Sequence, residues 1–243
     1  MSQNPAFARP ELPKRFYKSV AIVEIAGGST VELDGRPIKT PARKPVRAPS
    51  RAVAEAIAAE WEAQGERIDP GTMPMTRLIN TIIDGVLDDP EPVRAEIARF
   101  AETDMLFYRA GDPERLVARQ RERWDPILDW AHDRLAARFV LVEGVMHVAQ
   151  PEASLAAVRQ HLAGFSSGFE VAALHQATTL TGSALIALAL ADGRLSAEKA
   201  WSLAHLDEDW NIEQWGADEE AMALREKRWQ EMRAAAILLG RRP

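Results

Sequence analysis

Apolar and polar positions along the chain change their period more than once. Near the start they alternate as in strands. Residues 19–26 (SVAIVEIA) are rich in β-branched side chains, and Gly27-Gly28 then supplies a turn. Residues 30–33 return as a short strand, and Asp34-Gly35 turns the chain again into 36–40. This pattern predicts a meander of three short strands. Pro41, Pro45 and Pro49 close it as a stiff linker.

From residue 50 the spacing is helical. Ser50 is placed to cap a helix with Val53, Ile57 and Trp61 on one face. Residues 65–74 interrupt the pattern, 76–87 resume it, and Pro90 and Pro92 open a further helix carrying Val93, Ile97 and Phe100. In Trp124-Asp125-Pro126, Asp125 suits an N-cap and Pro126 the first helical position, with Leu128, Ala131 and Leu135 following on one side. Residues 139–148 (FVLVEGVMHV) break the period and predict a hairpin around Glu143-Gly144, able to pair with the N-terminal meander. Helical patterning returns at 154–162 and continues through 172–191, 196–215 and 217–239, with Gly240 at the exit. Strands first and helices afterwards predict an α+β fold. The expected division is a β-rich domain over 1–50, joined by the hairpin at 139–148, and a mainly helical domain over 51–243.

The stretch 196–216 (SAEKAWSLAHLDEDWNIEQWG) reads as one helix, capped by Ser196 and ended by Gly216. At about 100° per residue, Trp201, His205, Ile212 and Trp215 share a face with Glu208 at its centre. Asp207 and Asp209 point away from it, and Leu203, Leu206 and Trp210 form a second apolar stripe nearly opposite. A carboxylate within an aromatic stripe faces either an internal cation or a partner molecule, because an unpaired buried carboxylate costs several kcal/mol or takes up a proton.

Composition narrows the classes. The 243 residues suffice for a sizeable core, and 47% hydrophobic with 27% charged residues is ordinary for a globular protein. A net charge of −6 argues against a general nucleic-acid binder. The absence of cysteine removes thiol nucleophiles, thiolate metal sites and disulfides, and fits a reducing compartment. The first residues, MSQNPAFARPELP, have neither the apolar core of a secretory signal nor the arginine-rich pattern of a transit segment. The longest apolar run, 184–191, is far shorter than the roughly 20 residues that span a bilayer. The expectation is a soluble cytosolic protein without membrane insertion.

Candidate chemistry is sparse. The sequence contains neither a Walker loop nor a GxGxxG fingerprint. His132, His147, His161, His175 and His205 do not form an HExxH pattern or pair at ligand spacing. His132-Asp133 reads as the surface of an amphipathic helix. Ser166-Ser167-Gly168 and Thr181-Gly182-Ser183 do not match a nucleophile elbow, and the latter reads as close packing through small side chains. Glu102-Thr103-Asp104 and Asp207-Glu208-Asp209 lack the glycine-punctuated loop of a calcium site. No catalytic residue, cofactor or metal is therefore expected. Tryptophan is more informative: seven (Trp61, Trp124, Trp130, Trp201, Trp210, Trp215 and Trp229) stand against two tyrosines. Most tryptophans fill cores, but the residue is also the commonest interface hot spot.

Several segments recur in a familiar order. Arg15-Phe16-Tyr17-Lys18 precedes Leu33-Asp34-Gly35-Arg36-Pro37-Ile38-Lys39-Thr40-Pro41; Glu60-Trp61, Gln64, Met73-Pro74, Thr76, Asn80-Thr81 and Asp84 follow. Thr103-Asp104, Tyr108-Arg109, Trp124-Asp125-Pro126, Thr181-Gly182, Asp207-Glu208-Asp209 and Trp215-Gly216 complete the series. The set resembles the "ATP twelve" family of F-type ATP synthase assembly chaperones over about residues 15–240.

The resemblance implies a non-enzymatic protein. It would bind the unassembled alpha subunit of the catalytic head and shield its subunit interface until beta replaces the chaperone. An acidic residue near the C-terminal end matters in that family; Glu208 is the best match, with Asp207 or Asp209 next if the register slips. The implied partner surface comprises Glu208, Trp215, Trp201, His205, Ile212, Asp207, Asp209 and Trp210. The short N-terminus fits a monomeric bacterial cytoplasmic member, or a processed form from the mitochondrial matrix. The competing readings are a carboxylate-dependent hydrolase and a structural module of a permanent complex.

Overall fold

The structure is a computed structural model that describes residues 11–241. The start of the N-terminal segment, on which the expectation about targeting rests, lies outside the described residues. The chain divides into two compact units, the first ending at Arg77 and the second beginning at Leu78.

In the first unit β1 (Val20–Ile25), β2 (Gly28–Leu33) and β3 (Arg36–Pro37) form an antiparallel sheet in the order β1-β2-β3. The register sets Val20 opposite Leu33 and Ile25 opposite Gly28. The expected turns are both present, and Asp34 and Gly35 have φ of 49° and 75°, the left-handed pair that a tight hairpin demands. Gly28 is required sterically, since a Cβ there would lie 2.4 Å from the Ala48 carbonyl oxygen. Helix α1 (Arg51–Glu62) starts at Ser50, whose hydroxyl accepts from the Val53 N–H, and it packs on β1 and β2. This packing carries the first unit past the expected boundary at residue 50. Near its end, Glu60 accepts from the Met75 and Thr76 amides at 2.6 and 2.8 Å, capping α2 (Pro74–Gly85) with a carboxylate.

The second unit is helical: α3 (Glu91–Phe100), α4 (Glu114–Leu135), α5 (Glu152–Leu162), α6 (Gly168–Thr181), α7 (Ala184–Ala191), α8 (Ala197–Ala204), α9 (Leu206–Trp215) and α10 (Glu219–Leu238). Its centre is α7, ALIALALA, in which all eight residues are buried. Alternating alanines let α3, α4, α6 and α8 approach it closely. Two strands of two residues each, β4 (Tyr108–Arg109) and β5 (Val142–Glu143), pair in parallel.

Four expectations are corrected. Residues 172–191 are two helices. Gly182, with φ 66°, ends α6, and Ser183 caps α7 by accepting from the Ile186 N–H. Asp104 takes part in this junction, accepting from Ser183 Oγ at 2.9 Å and from the Leu185 N–H at 3.0 Å. It is wholly buried, and desolvation raises its pKa to about 6 against the opposing pull of its backbone and hydroxyl donors. Thr181-Gly182-Ser183 is thus a helix junction organised around a carboxyl group.

The second correction concerns Pro126, which lies inside α4 and does not start a helix. A proline there removes one helical hydrogen bond and ordinarily costs about 3 kcal/mol. The buried face formed by Gln120, Trp124, Ile127, Ala131 and Leu135 runs unbroken past it, and Pro126 sits on the exposed side. Asp125 pairs with Arg109 at 2.9 Å and caps nothing.

Third, the hairpin expected at 139–148, joined to the meander, is replaced by the parallel pairing of β5 with β4, in which Tyr108 faces Val142. The Gln150 amide closes this segment on itself by accepting from the Val140 N–H at 2.8 Å and donating to its carbonyl at 3.0 Å. The fourth correction, at His205, concerns the candidate site.

Candidate partner surface

Residues 196–216 form α8 and α9, which meet at His205 (φ −104°, ψ 20°). Ser196 caps α8 as expected, accepting from the Lys199 N–H, and Gly216 ends α9. The break follows from the sequence that straddles it. Asp207, Glu208 and Asp209 occupy the first turn of α9. Three carboxylates are favourable beside the positive end of a new helix dipole and would lack that benefit in mid-helix. The Trp201 carbonyl, at the end of α8, receives the His205 backbone N–H at 3.1 Å and lies 2.9 Å from its ring Nδ1.

The break separates the stripe predicted for a straight helix. Trp201 and His205 turn inward: their rings lie 3.8 Å apart, and Trp229 lies tilted 5.6 Å from Trp201. Burial lowers the His205 pKa and keeps the ring neutral near pH 7. Trp210 is buried with Leu203 and Leu206 on the second stripe, and the Arg119 and Arg115 guanidinium groups lie 4.9 and 5.9 Å from its ring. Cation–π contact therefore ties the outer face of α4 to α9. A bidentate pair, Arg119 with Glu213 at 2.8 Å for both bonds, reinforces it. A groove of about 530 Å³ lies here, lined by Arg115, Arg119, Arg123, Asp209 and Glu213.

The three acidic residues diverge. Asp207 turns toward α4 and accepts from Gln120 Nε2 at 2.8 Å. Asp209 does not point away from Glu208 as expected, because both carboxylates reach Arg225 on α10. Asp209 lies 2.6 Å from the guanidinium and Glu208 4.0 Å. Glu208 is also 3.8 Å from His205 Nε2, and its side chain remains 43% exposed. Both contacts are longer than a hydrogen bond, so Glu208 keeps free acceptor capacity.

Ile212 is half-buried, and beyond it the surface becomes apolar and open. Trp215 is 78% exposed, and Met222 and Leu224 on α10 are exposed as well. Met222, Leu224 and Arg225 were not singled out in the sequence. Their signal is two large apolar side chains in the otherwise charged run EEAMALREKR. His132 and Asp133 are exposed on α4. Among the described residues, no group of three or more His, Cys, Asp or Glu is placed to hold a metal ion. Among the same residues, no helix is long and apolar enough to cross a membrane.

The sequence profile of the family described as ATP12 chaperone protein matches residues 14–132. The Schizosaccharomyces pombe protein named "Protein atp12, mitochondrial" is 24% identical over 240 residues, spanning 94% of this chain and 82% of its own length. Among solved structures, the Atu1473 protein of Agrobacterium tumefaciens is 54% identical, with a TM-score of 0.88, over 95% of this chain and 86% of that one. Atp12 from Paracoccus denitrificans is 41% identical, with a TM-score of 0.83, over 94% of this chain and 97% of that one. The shared α+β arrangement is that of a chaperone class. The chain belongs to the ATP12 chaperone family.

Proposed function

We propose that this chain is an assembly chaperone of the F-type ATP synthase catalytic head. It binds the unassembled alpha subunit through α9 and the start of α10 and covers the subunit interface until beta replaces it. It acts without catalysis, as a monomer, in a bacterial cytoplasm. The observation that carries this reading is the exposed Trp215 on the same short helix as Glu208, a carboxylate that stands 3.8 Å from the neutral His205 ring and 4.0 Å from an internal cation, Arg225.

An isolated subunit exposes an apolar surface normally covered by its neighbour, and such a surface aggregates. Covering it reversibly calls for an aromatic anchor with a few charges to set register. Trp215, Met222 and Leu224 supply the apolar contact, and Glu208 supplies a charge. Trp201, His205 and Trp210 support this surface from beneath. Asp207 and Asp209 hold α9 to α4 and α10. A hydrolase using these carboxylates is the weaker reading, since Asp209 and Glu213 are each held by an arginine and Asp207 by Gln120.

The test is light scattering of separately purified alpha and beta subunits diluted from denaturant with and without the chain. Suppression of alpha aggregation at near-equimolar ratio, with weaker protection of beta, is expected. Equal protection of both, or of neither, rejects the reading.

A further inference from the structure

The first unit carries a second concave, aromatic surface, of about 500 Å³. Phe16, Tyr17 and Trp61 form a row along it, with Phe16 and Tyr17 edge to face at 5.4 Å and Tyr17 and Trp61 at 5.6 Å. Tyr17 is fixed by donating its hydroxyl to the Trp61 carbonyl at 2.5 Å. Buried Leu33 and Ile38 give the floor. Phe16, by contrast, is 72% exposed, a large apolar ring held at the mouth of the pocket with one face in water. The indole N–H of Trp61, another lining residue, is buried without an acceptor.

The rim is positive although the whole chain carries −6. Arg36 and Lys39 line it, and both are exposed. The one carboxylate among the lining residues, Asp34, offsets one of these two charges and leaves the rim cationic, and its oxygens are turned to the Lys18 and Ser19 amides and the Ser19 hydroxyl at 2.9–3.2 Å. Those hydrogen bonds, led by the Ser19 amide, also hold the Asp34 pKa below the usual carboxylate value. Its role is to fix the turn between β2 and β3, which sets Arg36 and Lys39 at the mouth. Arg15 is committed elsewhere, donating to the Glu62 and Gln64 carbonyls.

We infer that this pocket docks an extended acidic peptide segment bearing one aromatic or large aliphatic side chain. That side chain inserts beside Phe16 against Tyr17, Trp61 and Ile38, and flanking carboxylates pair with Arg36 and Lys39. An apolar slot with a cationic rim matches such a segment in both shape and charge. The inference concerns the first unit and does not depend on the role of α9.

The test uses the full chain, labelled with ¹⁵N, and a synthetic probe: an acetylated, amidated heptapeptide with a central phenylalanine flanked on each side by Asp and Glu and ended by Gly. The control peptide carries lysine in place of all four acids. Amide shifts at Tyr17, Ile38 and Lys39 and the Trp61 indole shift report occupancy. Saturable shifts with the acidic peptide are expected, weakened tenfold or more in R36E/K39E and severalfold in F16A. Both variants change only exposed side chains, so unchanged thermal midpoints verify their folding. Equal affinity for the acidic and lysine peptides, no shifts with the acidic one, or undiminished binding by folded R36E/K39E each overturns the inference.

Discussion

The Asp209 carboxylate on α9 lies 2.6 Å from the Arg225 guanidinium on α10, while that of its neighbour Glu208 stands 4.0 Å from the same group. Two acids therefore share one cation unequally, and a structural task separates from an available charge. Asp209 holds the start of α10 against α9. Glu208 contributes little to that contact and remains half in water.

The first prediction compares two isosteric substitutions. Asp209→Asn leaves Arg225, only 14% exposed, without its close partner. It should lower stability by about 1 kcal/mol, the figure being kept small because the Asp209 end is partly screened by solvent. Glu208→Gln should leave the melting temperature nearly unchanged and weaken alpha-subunit binding by about 2 kcal/mol or more. Thermal melts and calorimetric titrations on both variants check this; a large melting shift for Glu208→Gln with wild-type binding would assign that residue to internal support.

Trp215 offers a cleaner separation. Its side chain is largely in solvent, so Trp215→Ala should change stability by less than about 0.5 kcal/mol. If the ring anchors the partner, the same change should reduce affinity tenfold or more, in keeping with the roughly 2 kcal/mol typical of a tryptophan hot spot. Dissociation rates of the alpha subunit from the immobilised chain give the readout. Unaltered rates would exclude the tip of α9 from the interface.

Two buried groups give opposite pH signatures. Asp104 has a folded pKa of about 6, above its unfolded value. The stability linked to it is full below about pH 4 and is lost as pH rises through 6. Burial depresses the His205 pKa. Its contribution is present above the unfolded value near 6.5 and is lost as pH falls through the folded pKa. Between about pH 4 and 7 the two oppose each other and flatten the wild-type profile. Asp104→Asn should therefore expose a loss of stability on acidification, and His205→Gln a gain. Urea unfolding midpoints at half-unit pH steps would show it; parallel profiles for all three proteins would refute the assignment.

Gly28 tests the β-rich unit alone. Its φ is 152°, and an added Cβ meets the Ala48 carbonyl oxygen, a backbone atom that cannot rotate away. Gly28→Ala should cost about 2 kcal/mol or more, measured by hydrogen exchange of the β1 and β2 amides. The amides of α7 should be protected as in the wild type.

Local chemistry was legible from the sequence. Ser50 and Ser196 cap the helices they were expected to cap, Gly216 ends α9, and the Gly27-Gly28 and Asp34-Gly35 turns build the meander. In each case the signal is a residue whose own backbone or side chain makes the structure. Features that depend on distant partners were not legible. Pro126 stays helical because the buried face around Trp124 continues beyond it, and the Trp124 indole donates to the Leu203 carbonyl at 2.9 Å. The bend at His205 hid the split between Asp209 and Glu208, since a straight helix puts them on different faces. Arg225 lies 16 and 17 residues further along the chain, and nothing in its local pattern signals that it returns to α9.

Helix α7 has a consequence for how the protein is made. Its eight apolar residues are enclosed by α3 and α4, synthesised earlier, and by α8, synthesised later. During translation this segment leaves the ribosome with one wall of its enclosure still missing. The contacts of α7 with α3 and α4 also join segments far apart in sequence and form slowly, and an unburied apolar stretch is open to self-association in the interval. The β-rich unit, built from hairpin pairs and the helix that follows them, has no such wait. The second unit is thus the one whose yield should depend on synthesis rate and temperature, and a chain truncated before α8 should emerge as an aggregating client itself.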